Sequence, residues 1–506
     1  MTTESAVLAS TSTPRILVIG GGYVGMYAAL RLQRRLKPHE ADIVVVEPQP
    51  YMTYQPFLPE AAAGSISPRH VVVPLRRVLD RCRIIVGEAR SVDTHRRTAT
   101  VDTLVTPEEG GNALEIPYDH LVLAPGSVSR TLPVPGLAEH GVGFKTVEEA
   151  IGLRNHVLEQ LDIASSTRDA EVREAALTFV FVGGGYAGVE ALAELENMAR
   201  YAVRYYHNIT TDDLRWVLVE ASDHILPEVG EALGRYALRE LRGRNIDIRL
   251  ETRLDSCEHR IAVLSDGDRL PTRTLVWTAG VKPAPLLAAT GLPLTGRGRL
   301  RVDAALRVEG ADRVWSAGDA AAVPDLGAAA GAGAGSGAGA ESGPGTGSGP
   351  GAGPGRGTGP GRGAERPDVL PSGGERPGAD EGPECAPNAQ HAVRQARVLA
   401  DNLIADLHGG PLTEYRHVSA GAVASLGLHE GVALVRGRAI KGYPAWLIHR
   451  VYHLSRMPTF NRKARILAEW VLSGLFKREI VSLGSLEHPR AEFELAAGSE
   501  RKPDAP

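Results

Sequence analysis

Three glycines spaced G-x-G-x-x-G occur in "ILVIGGGYVG", at Gly20, Gly22 and Gly25, directly after an apolar run that predicts a buried strand. Such a turn brings backbone N–H groups against a pyrophosphate. The first Gly permits the tight turn, the second the close approach, and the third seats the following helix on the strand. Glu47 closes the next apolar run, 22 residues beyond Gly25, where a carboxylate accepts hydrogen bonds from ribose hydroxyls. The pattern returns as Gly183, Gly185 and Gly188 in "FVFVGGGYAGVEAL", with Glu220 ending the strand-like run "LRWVLVE". Glu220 lies 32 residues beyond Gly188, and the surplus "ARYAVRYYHNITTDD" predicts an extended helix and loop. A carboxylate there repels a 2′-phosphate and so favours NADH over NADPH. Two dinucleotide sites on one chain imply a resident redox carrier and a diffusing hydride donor, hence hydride transfer from a nicotinamide to a flavin.

Each turn needs a strand–turn–helix unit to hold it, and 506 residues with 43% hydrophobic content suffice for two or three such cores. Two further stretches read as cofactor-facing. "YDHLVLAPGS" is a strand entering a small-residue turn, with Ala124 and Gly126 where the chain crosses beside a cofactor. "RVWSAGDAAAV" ends a strand at Asp319, placed to hold ribityl or pyrophosphate-proximal hydroxyls and to cap a following helix. The net charge of −4 gives no reason to propose nucleic acid as a partner. The three cysteines, Cys82, Cys257 and Cys385, form no close pair, which predicts neither a disulfide framework nor a zinc site. The scattered histidines indicate no metal. The N-terminus does not read as a signal peptide, and no apolar run approaches the length of a membrane span.

The order of these features resembles the two-dinucleotide flavoprotein reductases. Within them the chain is most similar to the type II, non-proton-pumping NADH dehydrogenases, which pass electrons to quinone. Four segments carry that resemblance: "YMTYQPFLPEAAAG" beside the flavin, "GFKTVEEAIGLRNHVLEQL", "TLVWTAGVKP" near the nicotinamide, and "AQHAVRQA" at the flavin–quinone junction. The resemblance implies an α/β fold of two Rossmann-like domains, the FAD domain discontinuous and the NADH domain inserted in it, plus a small C-terminal domain. It puts FAD on the first turn with Glu47, Ala124, Gly126, Asp319, Ala389 and Gln390, and NADH on the second with Glu220 and Gly280. It places Glu190 near the nicotinamide and the quinone headgroup, where a carboxylate relays protons; a first-turn Glu is also what the helix dipole favours. Gln390, Arg394 and Gln395 would line the site of a membrane quinone, menaquinone or ubiquinone. Two departures stand out: Arg394-Gln395 replaces adjacent glutamines, and Pro59-Glu60 replaces a more apolar pair. A soluble flavin reductase, a sulfide:quinone reductase and a non-enzymatic NADH-responsive sensor stay open as alternatives, as does a homodimer.

Two amphipathic helices are expected near the C-terminus, in "AWLIHRVYHLSRM" and "KARILAEWVLSGLFKR", within a strongly basic stretch. Apolar stripes with tryptophan and basic flanks fit helices lying on an anionic membrane surface. Trp446, Leu447, Trp470 and Val471 are the expected lipid contacts, and the cytoplasmic face of the cell membrane is the expected location. The expected division is a disordered N-terminus (1–13), the FAD domain (14–135 and 291–326), and the NADH domain (136–290). A disordered Gly/Ala/Pro-rich insertion (327–386) precedes a junction helix (387–411), the C-terminal domain (412–490) and a disordered tail (491–506).

Overall fold

A computed structural model describes residues 13–105, 113–327, 382–417 and 421–476. The chain opens with β1 (Arg15–Ile19), α1 (Tyr23–Arg35), β2 (Asp42–Glu47), the one-turn helix α2 (Leu58–Ala62), β3 (Arg83–Asp93), β4 (Thr98–Thr103), β5 (Leu114–Pro117) and β6 (His120–Leu123). Next come β7 (Gly141–Val142), α3 (Val147–Ser166), β8 (Thr178–Val182), α4 (Tyr186–Ala202), β9 (Arg215–Val219), β10 (Ile246–Arg249) and β11 (Thr274–Trp277). The last elements used below are β12 (Val314–Ser316), α5 (Ala389–Leu407), β13 (Ala422–Ser425), β14 (Gly431–Val435), β15 (Arg438–Lys441), α6 (Tyr443–Arg456) and α7 (Phe460–Leu475).

The fold is α/β, with two Rossmann-like sheets. The first has the order β12-β6-β1-β2-β3-β4-β5, parallel from β12 to β3 and antiparallel beyond. The second, β7-β11-β8-β9-β10, is parallel throughout. β1 and β8 are wholly buried, as central strands covered on both faces must be, which explains their unbroken apolar runs. From β1 in the first sheet and β8 in the second, the chain passes to the neighbour on one side and later returns to the other side. The switch points fall between β1 and β6 and between β8 and β11, where open α/β sheets bind ligands. The second sheet's strands fall between residues 141 and 277, whereas β12 returns to the first sheet beside β6. A three-stranded antiparallel sheet, β13-β14-β15, carries α6, and α7 packs against α6.

The Gly/Ala/Pro-rich tract lies almost wholly outside the described residues, but its two ends meet. Cys385 donates its N–H to Val323 and Asp325 donates to Pro383, both at 2.8 Å, and Arg299 pairs with Glu384. α5 then packs along α1, where Arg31 holds Asp401 with two bonds of 2.6 Å. Because the ends are already joined, loop closure changes only logarithmically with tract length. Replacing residues 330–380 by a short Gly/Ser turn is expected to leave flavin content and NADH oxidation within about twofold, measured on the purified protein.

Candidate active site

The two glycine turns are built alike. Gly20 has φ +99° and Gly183 φ +116°, a region that glycine alone enters freely. A Cβ on Gly20 would lie 2.1 Å from the Ala124 carbonyl oxygen, and one on Gly183 would lie 2.8 Å from Thr278. In each sheet, therefore, the strand beyond the switch point presses its end against the turn. Ala124 is buried and contributes its backbone to this packing. The third glycines seat the helices: a Cβ on Gly25 would stand 1.7 Å from Gly20 O, and one on Gly188 would stand 1.9 Å from Gly183 O. Gly22 and Gly185 are different. They N-cap α1 and α4 without a side-chain capping bond, and nothing lies within 4 Å of where a Cβ would be. Each turn thus opens a concavity onto a helix N-terminus, the place a pyrophosphate needs.

The strand-terminal acids also match. Glu47 accepts the N–H of Gly21 and Glu220 that of Gly184, each at 2.5 Å. The second oxygen of Glu220 takes the Ser222 N–H at 2.8 Å and its hydroxyl at 2.7 Å. Burial raises the Glu47 pKa, while the N–H groups of Gly21 and Gln49 pull it back. Both sites fit a dinucleotide: phosphate at the helix N-terminus, ribose at the acid.

The two domains meet through a short antiparallel pair, Ser127–Ser129 with Val281–Pro283. Gly126 and Gly280 flank it, both with positive φ and both facing open space. Asp319 accepts the Ser127 hydroxyl at 2.6 Å, and the Lys145 ammonium donates to the same Ser127 oxygen at 2.6 Å. Burial pushes the Lys145 pKa down, opposed by Asp319 and Glu149. Lys145 belongs to the "GFKTVEEAI" segment, but no spacing signalled its link to Asp319 through Ser127.

At the head of α5, Asn388 caps the helix through the His391 N–H at 2.9 Å, and Ala389 is its first residue. Gln390 donates to the Gly421 carbonyl at 3.0 Å, and Arg394 reaches His417 at 3.4 Å. Gln395 is 2% exposed and accepts the Gly318 N–H at 2.8 Å, so its side chain fixes the turn that presents Asp319. Residues five apart on a helix point about 140° apart, which sends Gln390 and Gln395 to different neighbours. His391 stacks on His417 with ring centroids 3.9 Å apart and meets the Tyr415 hydroxyl at 3.0 Å. Burial and the neighbouring His417 lower the His391 pKa to about 4. A depressed histidine pKa stabilises the fold above the unfolded value of about 6.5, and that stability is lost as pH falls through the folded value. The urea midpoint should therefore fall from pH 6.5 to 4, and fall less in His391→Gln.

Glu190 is 6% exposed, near the start of α4. One of its oxygens accepts the Ser425 N–H at 2.8 Å and lies 3.2 Å from His449 Nε2. β13 therefore ties the two residues singled out for the acceptor side: Gln390 at Gly421 and Glu190 at Ser425, about 13 Å apart at strand spacing. Glu60 is 2% exposed, lies 3.3 Å from an Arg450 nitrogen, and accepts the Trp470 indole N–H at 2.9 Å. The Arg450 guanidinium lies over Trp446 at 4.2 Å and over Trp470 at 4.8 Å. This corrects the lipid contact expected of Trp446, which is 7% exposed. Trp470 is half-buried with its N–H committed to Glu60. Both indoles face inward because a desolvated guanidinium gains from two aromatic faces. Leu447 and Val471 are exposed.

The sequence profile of the pyridine nucleotide-disulphide oxidoreductases matches residues 14–334. The chain belongs to that family. As a member it is an oxidoreductase that takes FAD and a nicotinamide dinucleotide, and the two matching turns are where its own residues fit them. A type II NADH:quinone oxidoreductase of Mycobacterium tuberculosis is 25% identical over 475 residues, 92% of this chain and 89% of that protein. A mitochondrial external alternative NADH-ubiquinone oxidoreductase of Yarrowia lipolytica is 28% identical over 292 residues. That match spans 55% of this chain and half of the yeast protein. The solved structure of NDH2 from Plasmodium falciparum, in complex with NADH, superimposes with a TM-score of 0.77 at 15% identity, covering 93% of this chain and all of that one.

Proposed function

We propose that the chain is an FAD-dependent NADH:quinone oxidoreductase acting at a membrane surface, without proton pumping. The observation that carries it is the repeated turn: two open, acid-flanked phosphate cradles on two sheets joined at one seam. FAD held on the first turn by Gly22 and Glu47 would supply two-electron redox chemistry between nicotinamide and quinone. The chain's own part is to hold both nucleotides at their phosphates, present Asp319 through Ser127 and Gln395, and keep Glu190 buried beside the acceptor side. No protein thiol is placed to receive the electrons. Cys82, Cys257 and Cys385 are free, and each contacts a different neighbour: Gln33, Pro135 and Pro324. Burial pushes all three thiols up, away from reactivity. The acceptor therefore comes from outside. Incubated anaerobically with NADH and a soluble quinone, the protein should form NAD+ and quinol one for one; NADH consumption without quinol would sink the reading.

A lipid-borne quinone requires a lipid-facing surface, and α6 and α7 supply one. Leu447 and Val451 on α6 and Leu467, Val471, Leu472 and Leu475 on α7 are exposed, Leu475 by 74%. No described helix is long and apolar enough to cross a membrane; in this reading the exposed faces of α6 and α7 rest on the cytoplasmic surface of the cell membrane. Replacing Leu467, Val471 and Leu475 by Ser should weaken binding to anionic vesicles by at least about 100-fold, since each leucine-sized side chain contributes ~1.5 kcal/mol or more. Vesicle co-sedimentation measures this, and undiminished binding would contradict the assignment of the face.

A further inference from the structure

Below α6 lies a line of ionisable groups that the binding of two nucleotides does not require. His449 is 2% exposed, with Nε2 3.2 Å from Glu190, and neither ring nitrogen has a hydrogen-bond partner among the described residues. One turn along α6, the His453 ring stands edge-on to it with centroids 4.5 Å apart. His453 Nδ1 in turn lies 3.3 Å from the Tyr54 hydroxyl. The groups around His449 are Arg450 and His453 on its own helix, Glu190 and Glu194 on α4, Glu60 on α2, and Ser425 on β13. Glu194 accepts the Ser425 hydroxyl at 3.2 Å through one oxygen, and its other oxygen is buried without a partner. Three buried carboxylates thus face one arginine. Burial raises the Glu60 pKa despite Arg450. Burial also pushes His453 well below the usual histidine range, so its ring is neutral, with one nitrogen donating and the other accepting.

We propose that His449 is the proton carrier that recharges Glu190 during quinone reduction, with His453 and Tyr54 continuing the line. The inference rests on the NADH:quinone reading. Converting a quinone to a quinol forms two O–H bonds, while NADH loses one C–H bond. That bond supplies two electrons and one proton, and water must supply the second proton. The second proton leaves the Glu190 carboxyl for the quinone oxygen. His449 Nε2–H then restores it, and the imidazole regains a proton at Nδ1. A buried ring with one nitrogen within 3.2 Å of the acid and neither nitrogen committed to another group is placed for this exchange.

The test uses His449→Phe and His449→Gln in the full-length flavoprotein, each with its flavin content checked. Reoxidation of the NADH-reduced protein by a soluble quinone should slow by about 100-fold, the lower end for lost acid–base help, and lose its pH dependence. Independently of turnover, 15N NMR of the histidine-labelled protein should show one ring signal absent from His449→Phe, and that signal should move in Glu190→Gln because the acid lies against Nε2. A signal unmoved in Glu190→Gln, or variants reoxidised like the parent at every pH, would overturn the relay alone. A parent that no quinone reoxidises would overturn the relay together with the functional reading beneath it.

Discussion

Replacing Gly185 by Val should lower flavin reduction by subsaturating NADH about 100-fold, close to 2.8 kcal/mol of lost binding, while the flavin stays in place. Gly185 has φ −75°, which any residue adopts, and its missing Cβ faces open space. The substitution therefore leaves the turn and α4 intact and fills only the cradle, where the phosphate would approach the helix N-terminus. Gly22, with φ −72° and the same open surroundings, gives the complementary result: Gly22→Val should purify without flavin. The pair of variants separates the two nucleotides. Stopped-flow reduction and flavin absorbance measure them, and loss of flavin from Gly185→Val would mean that the assignments are exchanged.

The second large effect concerns the Glu60–Arg450 pair. Arg450 lies between two indoles and Glu60 is almost wholly buried, so neither charge has water to fall back on. Removing one partner of such a pair costs about 3–5 kcal/mol, because the other is left buried and uncompensated. Arg450→Ala should lower the urea unfolding free energy by that amount, whereas the double variant Glu60→Leu/Arg450→Met should recover most of it, since a well-packed apolar pair of similar volume avoids the desolvation cost. A change below about 1 kcal/mol in the single variant would show the pair to be solvated.

The sequence made the two cradles readable because glycine is the residue that a positive φ and a Cβ-free approach both demand. Gly20, Gly22 and Gly25, and their counterparts from Gly183 to Gly188, sit after buried strands as their spacing implies, and Glu47 and Glu220 reach the same atoms in both copies. The extra length before Glu220 did not obscure the match, since it is taken up by the end of α4 and the loop after it. The cluster under α6 was much less readable. Glu60, Glu190, Ser425 and His449 are far apart in the chain, and only the tertiary fold brings them together. In α6 the periodicity separates Leu447 and Val451 from Trp446, His449, Arg450 and His453, but a period does not say which face is inward. Here the ionisable face is buried and the leucines point out, which is why Trp446 was misplaced. The unusual Glu60 was the one visible signal, because an acid in an apolar segment requires a partner. The Gln395 contact with Gly318 was unreadable for a related reason: two glutamines in one motif lie on different sides of a helix.

The most direct test of the central claim is a sequential anaerobic stopped-flow experiment on the full-length flavoprotein. One equivalent of NADH should bleach the flavin absorbance, and a menaquinone or ubiquinone analogue added next should restore it. Flavin that NADH reduces but no quinone reoxidises would contradict the assignment.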